Sequence, residues 1–188
     1  MSATRITPLE PPYEDSIAEA FEKIMPPGMA PLKLFRTQAH NPRVLHRMLA
    51  SNLLDKGSIS LRDRELVILR TCARCGSEYE WGVHVTFFSE RAKLSAADVQ
   101  ATLSNHQEWS DLSAQDIMLL KTVDELHDTS TISDTLWAEL AQQFASAQIL
   151  EVITLIGNYH AVAFIANAVG VELESFAAQF KSTQQKAI

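Results

Sequence analysis

Three carboxylates, a phenol and an imidazole fall between residues 65 and 84: Glu65, then Ser77-Glu78-Tyr79-Glu80-Trp81, then His84. Side chains of these types hold and pass protons. Glu80 and His84 are four apart, so on one helix they share a face and can touch. A carboxylate beside an imidazole raises its basicity and sets its tautomer. A reversal at Gly76 would fold two helices into a hairpin and carry Glu65 back towards His84. Glu65, Glu80 and His84 are therefore candidate acid–base residues. Tyr79, able to donate to a developing oxyanion, is a candidate substrate contact, as are Ser77 and Trp81. Plainer roles exist for the same residues. Glu80 stands three after Ser77, the spacing of a capping box. Glu65 can pair with Arg62 or Arg64, and Tyr79 and Trp81 can be packing residues.

The elements that must position these groups read as helices throughout, with no convincing strand. Pro11-Pro12 precede a short helix from Tyr13 to Ile24, and Met25-Pro26-Pro27-Gly28 ends it. Segments at 30–39 and 43–54 follow. Ser60 reads as the cap of a helix from Leu61 to Arg74, whose Leu61, Leu66, Leu69 and Ala73 form an apolar stripe. Gly76 breaks it, and a helix capped by Ser77 runs to Lys93. Ser95, Ser113, Ser133 and Ser146 read as further caps, with a surface loop at 104–112. The last helix, Gln148 to Val169, is apolar on nearly every side and suits a core centre or a subunit contact. Its polar island, Asn158-Tyr159-His160, makes His160 another candidate contact, since buried polar groups need partners. Gly170 suits the position after its end.

Bulk composition narrows the function classes. The 188 residues fit one domain with one sizeable core. A net charge of −7 argues against nucleic acid, where a basic face supplies most of the affinity. No signal-peptide layout opens the chain. The apolar run near 149–169 is broken by Glu151, Asn158, His160 and Asn167 and reads as a core helix rather than a membrane span. Two cysteines, Cys72 and Cys75, make no disulfide framework and imply a reducing cytoplasm. As a CxxC they sit at a helix end, where the dipole disfavours a thiolate. No second CxxC or HxxxH completes a metal set, so no metal and no cofactor is expected. No phosphate loop, nucleophile elbow or dinucleotide fingerprint occurs.

The segment from Leu61 to Leu103, centred on LRDRELVILRTCARCGSEYEWGVHV, resembles the carboxymuconolactone decarboxylase family, which includes the alkyl hydroperoxidase D-like proteins. GNYHAVAFIANAVGVELE extends the likeness more weakly. The redox branch of that family carries E-x11-C-x2-C-x3-H. Laid on this chain without a gap, the glutamate falls on Glu65 and the histidine on His84. The two cysteine positions fall on Ser77 and Glu80, and Cys72 and Cys75 lie five residues upstream, more than a helical turn away. The resemblance implies a single all-α domain, with a central helical hairpin bearing the site, that assembles as a dimer, trimer or hexamer. It implies a cofactor-free lyase or isomerase acting on a small organic acid or lactone. Two other functions stay open: a thiol peroxidase using Cys72 and Cys75, and a non-catalytic oligomeric protein that binds a small molecule.

Overall fold

The computed structural model describes residues 4–181, and among these there are helices and no strands. Helices α1 (Asp15–Ile24), α2 (Lys33–Gln38) and α3 (Pro42–Ala50) come first. They gather around Ile17, Phe21, Ala39 and Leu45. The predicted hairpin follows as α4 (Leu61–Arg74) and α5 (Glu78–Phe88). Then come α6 (Ala96–Ala101), α7 (Ala114–Thr129), α8 (Asp134–Gln143) and α9 (Ser146–Val169).

Helix α4 is the axis of the bundle, packed on α5, α7 and α9. Leu66, Val67, Ile68 and Leu69 are all buried, so the helix is enclosed on every side. Its charged residues must then be paired, because an isolated buried charge is costly. Arg70 makes a two-pronged contact with Asp124 of α7, Nε and Nη2 each 2.8 Å from a carboxylate oxygen. Arg62 bridges Asp98 of α6 and Asp116 of α7 at 2.9 and 2.8 Å. These pairs set the angle at which α6 and α7 meet the axis.

Ser60, Ser95, Ser113 and Ser133 cap their helices as their positions predict. Several boundaries differ from the sequence expectation. Helix α5 stops at Phe88, not Lys93. The chain turns there, with Lys93 at φ 55°, and buries Ala92 and Leu94 in the main core. Ala145, not Ser146, precedes α9, and the Gln148 side chain accepts from its N–H at 2.9 Å. The 104–112 segment is pinned by buried Trp109, which donates to Ala101 O and lies under the Arg70 guanidinium.

Helix α9 is long and apolar enough to cross a membrane by length and composition alone. Here one stripe, Val152, Leu155, Ile156, Tyr159, Ala163 and Ala166, is buried, and the helix packs on α4, α5 and α8. Leu150 and Phe164 face outward at 64% exposure, so the helix is half-buried rather than enclosed.

After Gly170, residues 171–181 double back over α5. Ala178 N–H donates to Gly82 O and Thr86 Oγ1, and Phe180 N–H to Glu78 Oε1. The fit is closest at Gly82, where an added Cβ would collide with the backbone oxygen of Ala178. Gly82→Ala should therefore displace this strap and lower stability by about 1–3 kcal/mol, the usual cost of overpacking. Urea denaturation measures it; an unchanged midpoint would show that the strap contributes nothing.

Candidate active site

The hairpin brings Glu65 and His84 into direct contact. His84 Nδ1 lies 2.7 Å from Glu65 Oε2, and both side chains are buried. The other ring nitrogen, Nε2, lies 3.0 Å from the Tyr159 hydroxyl and 3.5 Å from Glu80 Oε1. Glu65 is held in turn by its neighbour. Arg64 places Nε and Nη2 at 3.0 and 2.9 Å from Glu65 Oε1, and its Nη1 donates to Leu54 O at 2.7 Å. Burial opposes the imidazolium, but Glu65 and then Glu80 outweigh it and push His84 up to about 9. At neutral pH both ring nitrogens therefore carry protons. Two cations and two carboxylates balance inside the fold.

Burial, with Glu80 and Glu65 close by, pushes the Tyr159 phenol well above its ordinary value. It stays an O–H. Because the protonated His84 donates to the Tyr159 oxygen, the phenolic hydrogen is left to point elsewhere.

Tyr159 and Glu80 form part of the wall of a narrow cleft between α9 and the α2–α3 region. Its apolar lining includes Leu34, Phe35, Met48, Leu49, Leu54 and Val162. Gln38 and Asn158 add polar groups, and no lysine or arginine is among the lining residues. Two oxygens on these walls, Glu80 Oε2 and Gln38 Oε1, are buried with no hydrogen-bond partner among the described residues. Such orphans are uncommon in folded proteins and call for an explanation. The cleft volume is about 40 Å³, room for water but not for a ring compound.

The structure thus collects Glu65, Glu80 and His84 at one place, but only Glu80 of the three lines the cleft. The other sequence candidates lie elsewhere. Tyr79 donates to Glu174 Oε1 at 2.8 Å and accepts from Leu34 N–H at 3.1 Å, so it fastens α5 to α2 and the strap. Trp81 is fully buried, its Nε1 bonded to Thr102 Oγ1. Neither faces the cleft; both are structural. Ser77 precedes α5, but its side chain makes no capping bond. Its backbone has ψ 77°, outside the usual extended N-cap region, and its Oγ is buried without a partner. The expected capping box with Glu80 is therefore absent, which frees the Glu80 carboxylate for the cleft.

His160 turns away from His84. Its Nδ1 bonds Ile156 O at 2.8 Å, and its Nε2 meets His127 Nδ1 at 2.9 Å. The phenol that reaches His84 is its neighbour Tyr159, which sequence reasoning placed in the polar island but not at the site; it passed over Gln38, while Arg64, one of the two partners it offered for Glu65, is the one that pairs. A signal existed for Tyr159: it falls on the same helical stripe as Val152, Ile156, Ala163 and Ala166.

Neither thiol is in register with the acid–base set. Cys72 is fully buried, and burial, with Glu80 nearby, pushes it well above its ordinary value. Cys75 is half-buried; burial raises it too, against a lowering by Arg74. Where spacing offered no metal set, the fold brings Cys75, His127 and His160 together, with ligand atoms all within 4.8 Å of one another.

Comparison with known proteins agrees with this architecture. Residues 42–115 match the model of the carboxymuconolactone decarboxylase family. No curated protein sequence matches the chain. An uncharacterized peroxidase-related protein from Silicibacter sp. TM1040 superposes with a TM-score of 0.79 at 16% identity, covering 96% of this chain and 98% of that one. The alkylhydroperoxidase AhpD core of a peroxidase-related protein from Ralstonia eutropha JMP134 gives 0.78 at 16%, covering 92% and 95%. The apo debrominase Bmp8 gives 0.66 at 14%, covering 98% of each chain. At such identities the likeness establishes the all-helical AhpD-like fold and nothing finer.

Proposed function

We propose, from the match of residues 42–115 to the model of the carboxymuconolactone decarboxylase family, that the protein is a cofactor-free lyase or isomerase. Its substrate is a small lactone or related carbonyl compound, and its chemistry is proton transfer next to the carbonyl. The observation that carries this reading is the meeting, in one apolar cleft, of the Tyr159 hydroxyl with a Glu80 carboxylate whose Oε2 has no hydrogen-bond partner among the described residues.

Each group has a chemical task. Glu80 Oε2 takes the proton from the carbon next to the substrate carbonyl. Tyr159 donates its O–H to the oxygen on which charge builds, as an oxyanion donor must. The His84 imidazolium, behind both, donates to the Tyr159 oxygen and sharpens that phenol as a donor. Glu65, clamped by Arg64, holds His84 protonated and oriented. Gln38 offers its amide to a second polar group of the substrate. Glu80 then returns the proton to a different carbon, which completes an isomerisation. A neutral lactone or keto ester suits the cleft better than a carboxylate, because the lining carries an acid and no cation. Decarboxylation of a carboxylated lactone is the less favoured branch for that reason.

Entry of a ring compound requires the α3–α4 connection to lift from α9. The Asn158 amide, bonded to Ser51 O, holds it down. The two free thiols fit a reducing cytoplasm.

The direct test incubates the full-length protein with neutral lactones, keto esters and their carboxylated counterparts in deuterated water, followed by NMR and mass spectrometry. Expected is product formation, or solvent deuterium appearing next to the carbonyl of a neutral compound. Neither product nor exchange across the panel would leave a non-catalytic binding protein. Dithiol-dependent loss of a hydroperoxide, abolished by Cys75→Ser, would replace the reading with thiol chemistry.

A further inference from the structure

We infer that the protein binds one divalent zinc-like ion through Cys75 Sγ, His127 Nδ1 and His160 Nε2, at a site separate from the acid–base cleft. The three residues come from different parts of the chain: the end of α4, the last turn of α7 and the middle of α9. Their donor atoms nonetheless converge. His127 Nδ1 is 2.9 Å from His160 Nε2 and 3.9 Å from Cys75 Sγ. In a tetrahedral zinc site, metal–nitrogen bonds near 2.0 Å and a metal–sulfur bond near 2.3 Å put donor atoms roughly 3.3–3.6 Å apart. The two His127 distances bracket that range, and the Cys75–His160 pair lies within 4.8 Å, so side-chain adjustment alone, with no backbone rearrangement, brings the donors to the cage.

The surroundings already favour ligation. His160 Nδ1 lies 2.8 Å from Ile156 O and donates its N–H there, which leaves Nε2 as a lone pair facing the cluster. A ring nitrogen anchored this way on a backbone carbonyl is the usual support of a metal-bound histidine. His127 then holds its proton on Nδ1 towards His160; on binding, that proton moves to Nε2 and Nδ1 becomes the ligand. Cys75 is positioned through its backbone, where Asn167 Nδ2 donates to Cys75 O at 2.8 Å. The nearby Arg74 guanidinium is engaged by Asp128 at 2.5 Å and Asp124 at 3.5 Å, which offsets its repulsion of a cation. Imidazole nitrogen and thiolate sulfur are the ligands that zinc prefers over magnesium or calcium.

Binding displaces the Cys75 thiol proton, forming a sulfur–metal bond and releasing one proton per ion at neutral pH. The chain supplies three ligands, and water takes the fourth position. The ion would tie α4, α7 and α9 together at the end of the bundle. His160 and Tyr159 are neighbours on α9, so the ion also stiffens the helix that carries the proposed oxyanion donor.

Cobalt(II) titration of the reduced, chelator-stripped full-length protein tests this directly. One cobalt per chain is expected, with a thiolate-to-cobalt charge-transfer band and the strong visible bands of four-coordinate cobalt, all erased by stoichiometric zinc. Cys75→Ser should abolish the charge-transfer band. His160→Ala should weaken binding by more than about 100-fold, beyond the cost of losing a supporting residue alone. Cys72→Ala and Glu80→Gln should leave the spectrum as it was, which separates this site from the cleft. Circular dichroism checks that each variant is folded, with His127→Asn as a second ligand variant if His160→Ala is not. No uptake by the wild-type protein overturns the proposal, as does a charge-transfer band that survives Cys75→Ser.

Discussion

Glu80→Gln is expected to lower turnover of a lactone or keto-ester substrate by about a hundred- to ten-thousand-fold, the usual weight of one general acid or base. It should lower the melting temperature less than loss of Glu65 does, because Glu80 is the lesser of the two carboxylates that support the His84 charge. The substitution keeps the shape of the side chain and removes only its ability to take a proton. Glu65, not Glu80, is the main support of the buried His84 charge. Glu80 Oε2 has no hydrogen-bond partner among the described residues, and Oε1 sits 3.5 Å from His84 Nε2, longer than a good hydrogen bond. A carboxylate kept in an apolar cleft with so little to hold it is poorly explained by stability. A structural glutamate behaves the other way: its loss unfolds the protein and leaves the residual folded fraction active. Turnover and thermal melting of the same preparation separate the two cases. Full activity in Glu80→Gln would sink the assignment of Glu80 as the base.

Glu65→Leu is expected to cost about 3–5 kcal/mol of folding stability, the typical penalty for removing one partner of a buried ion pair. Glu65 is the hub of the buried network. It accepts from Arg64 through one oxygen and meets His84 through the other. Leucine leaves two cations facing each other without the charge between them. The milder Glu65→Gln isolates the electrostatic part. Burial alone lowers an imidazole, so without Glu65 the His84 value should drop from about 9 to well below it.

That shift makes wild-type stability depend on pH with a definite sign. The unfolded imidazole titrates near 6.5 and the folded one near 9, so the folded state binds the proton more tightly. His84 contributes on the order of 3 kcal/mol, fully present below about pH 6.5 and lost as the pH climbs to about 9. Denaturation midpoints measured from pH 6 to pH 10 should fall across that interval in the wild type. In Glu65→Gln the decline should flatten. A wild-type midpoint constant over the whole range would contradict a charged His84 in the folded protein.

The helices were legible because their signals are local. Ser60, Ser95, Ser113 and Ser133 act on their own next turn, and Gly76, at φ 62°, supplies the reversal between α4 and α5. The contact of Glu65 with His84 was legible for the same reason: one hairpin separates them, and the reversal point fixes which helix faces meet. Ser77 misled because a sequence pattern carries no backbone angle. The chain leaves Gly76 in a conformation that keeps the Ser77 hydroxyl off the helix end, so the capping box never closes and Glu80 turns inward.

Tyr79 and His160 misled for a different reason. Residues beside one another on a helix leave it about 100° apart, so a polar island names a region without saying which member faces the site. Only the packing of α9 on α4 and α5 sends Tyr159 to His84 and His160 to His127. The sequence by itself determined the all-helical architecture, the hairpin and the meeting of its acid and imidazole, since each follows from interactions a few turns apart. The cleft, its phenol and the Cys75–His127–His160 cluster were decided by tertiary structure alone. Their members lie dozens of residues apart, and only burial of the apolar faces of α4, α7 and α9 against one another brings them within bonding reach.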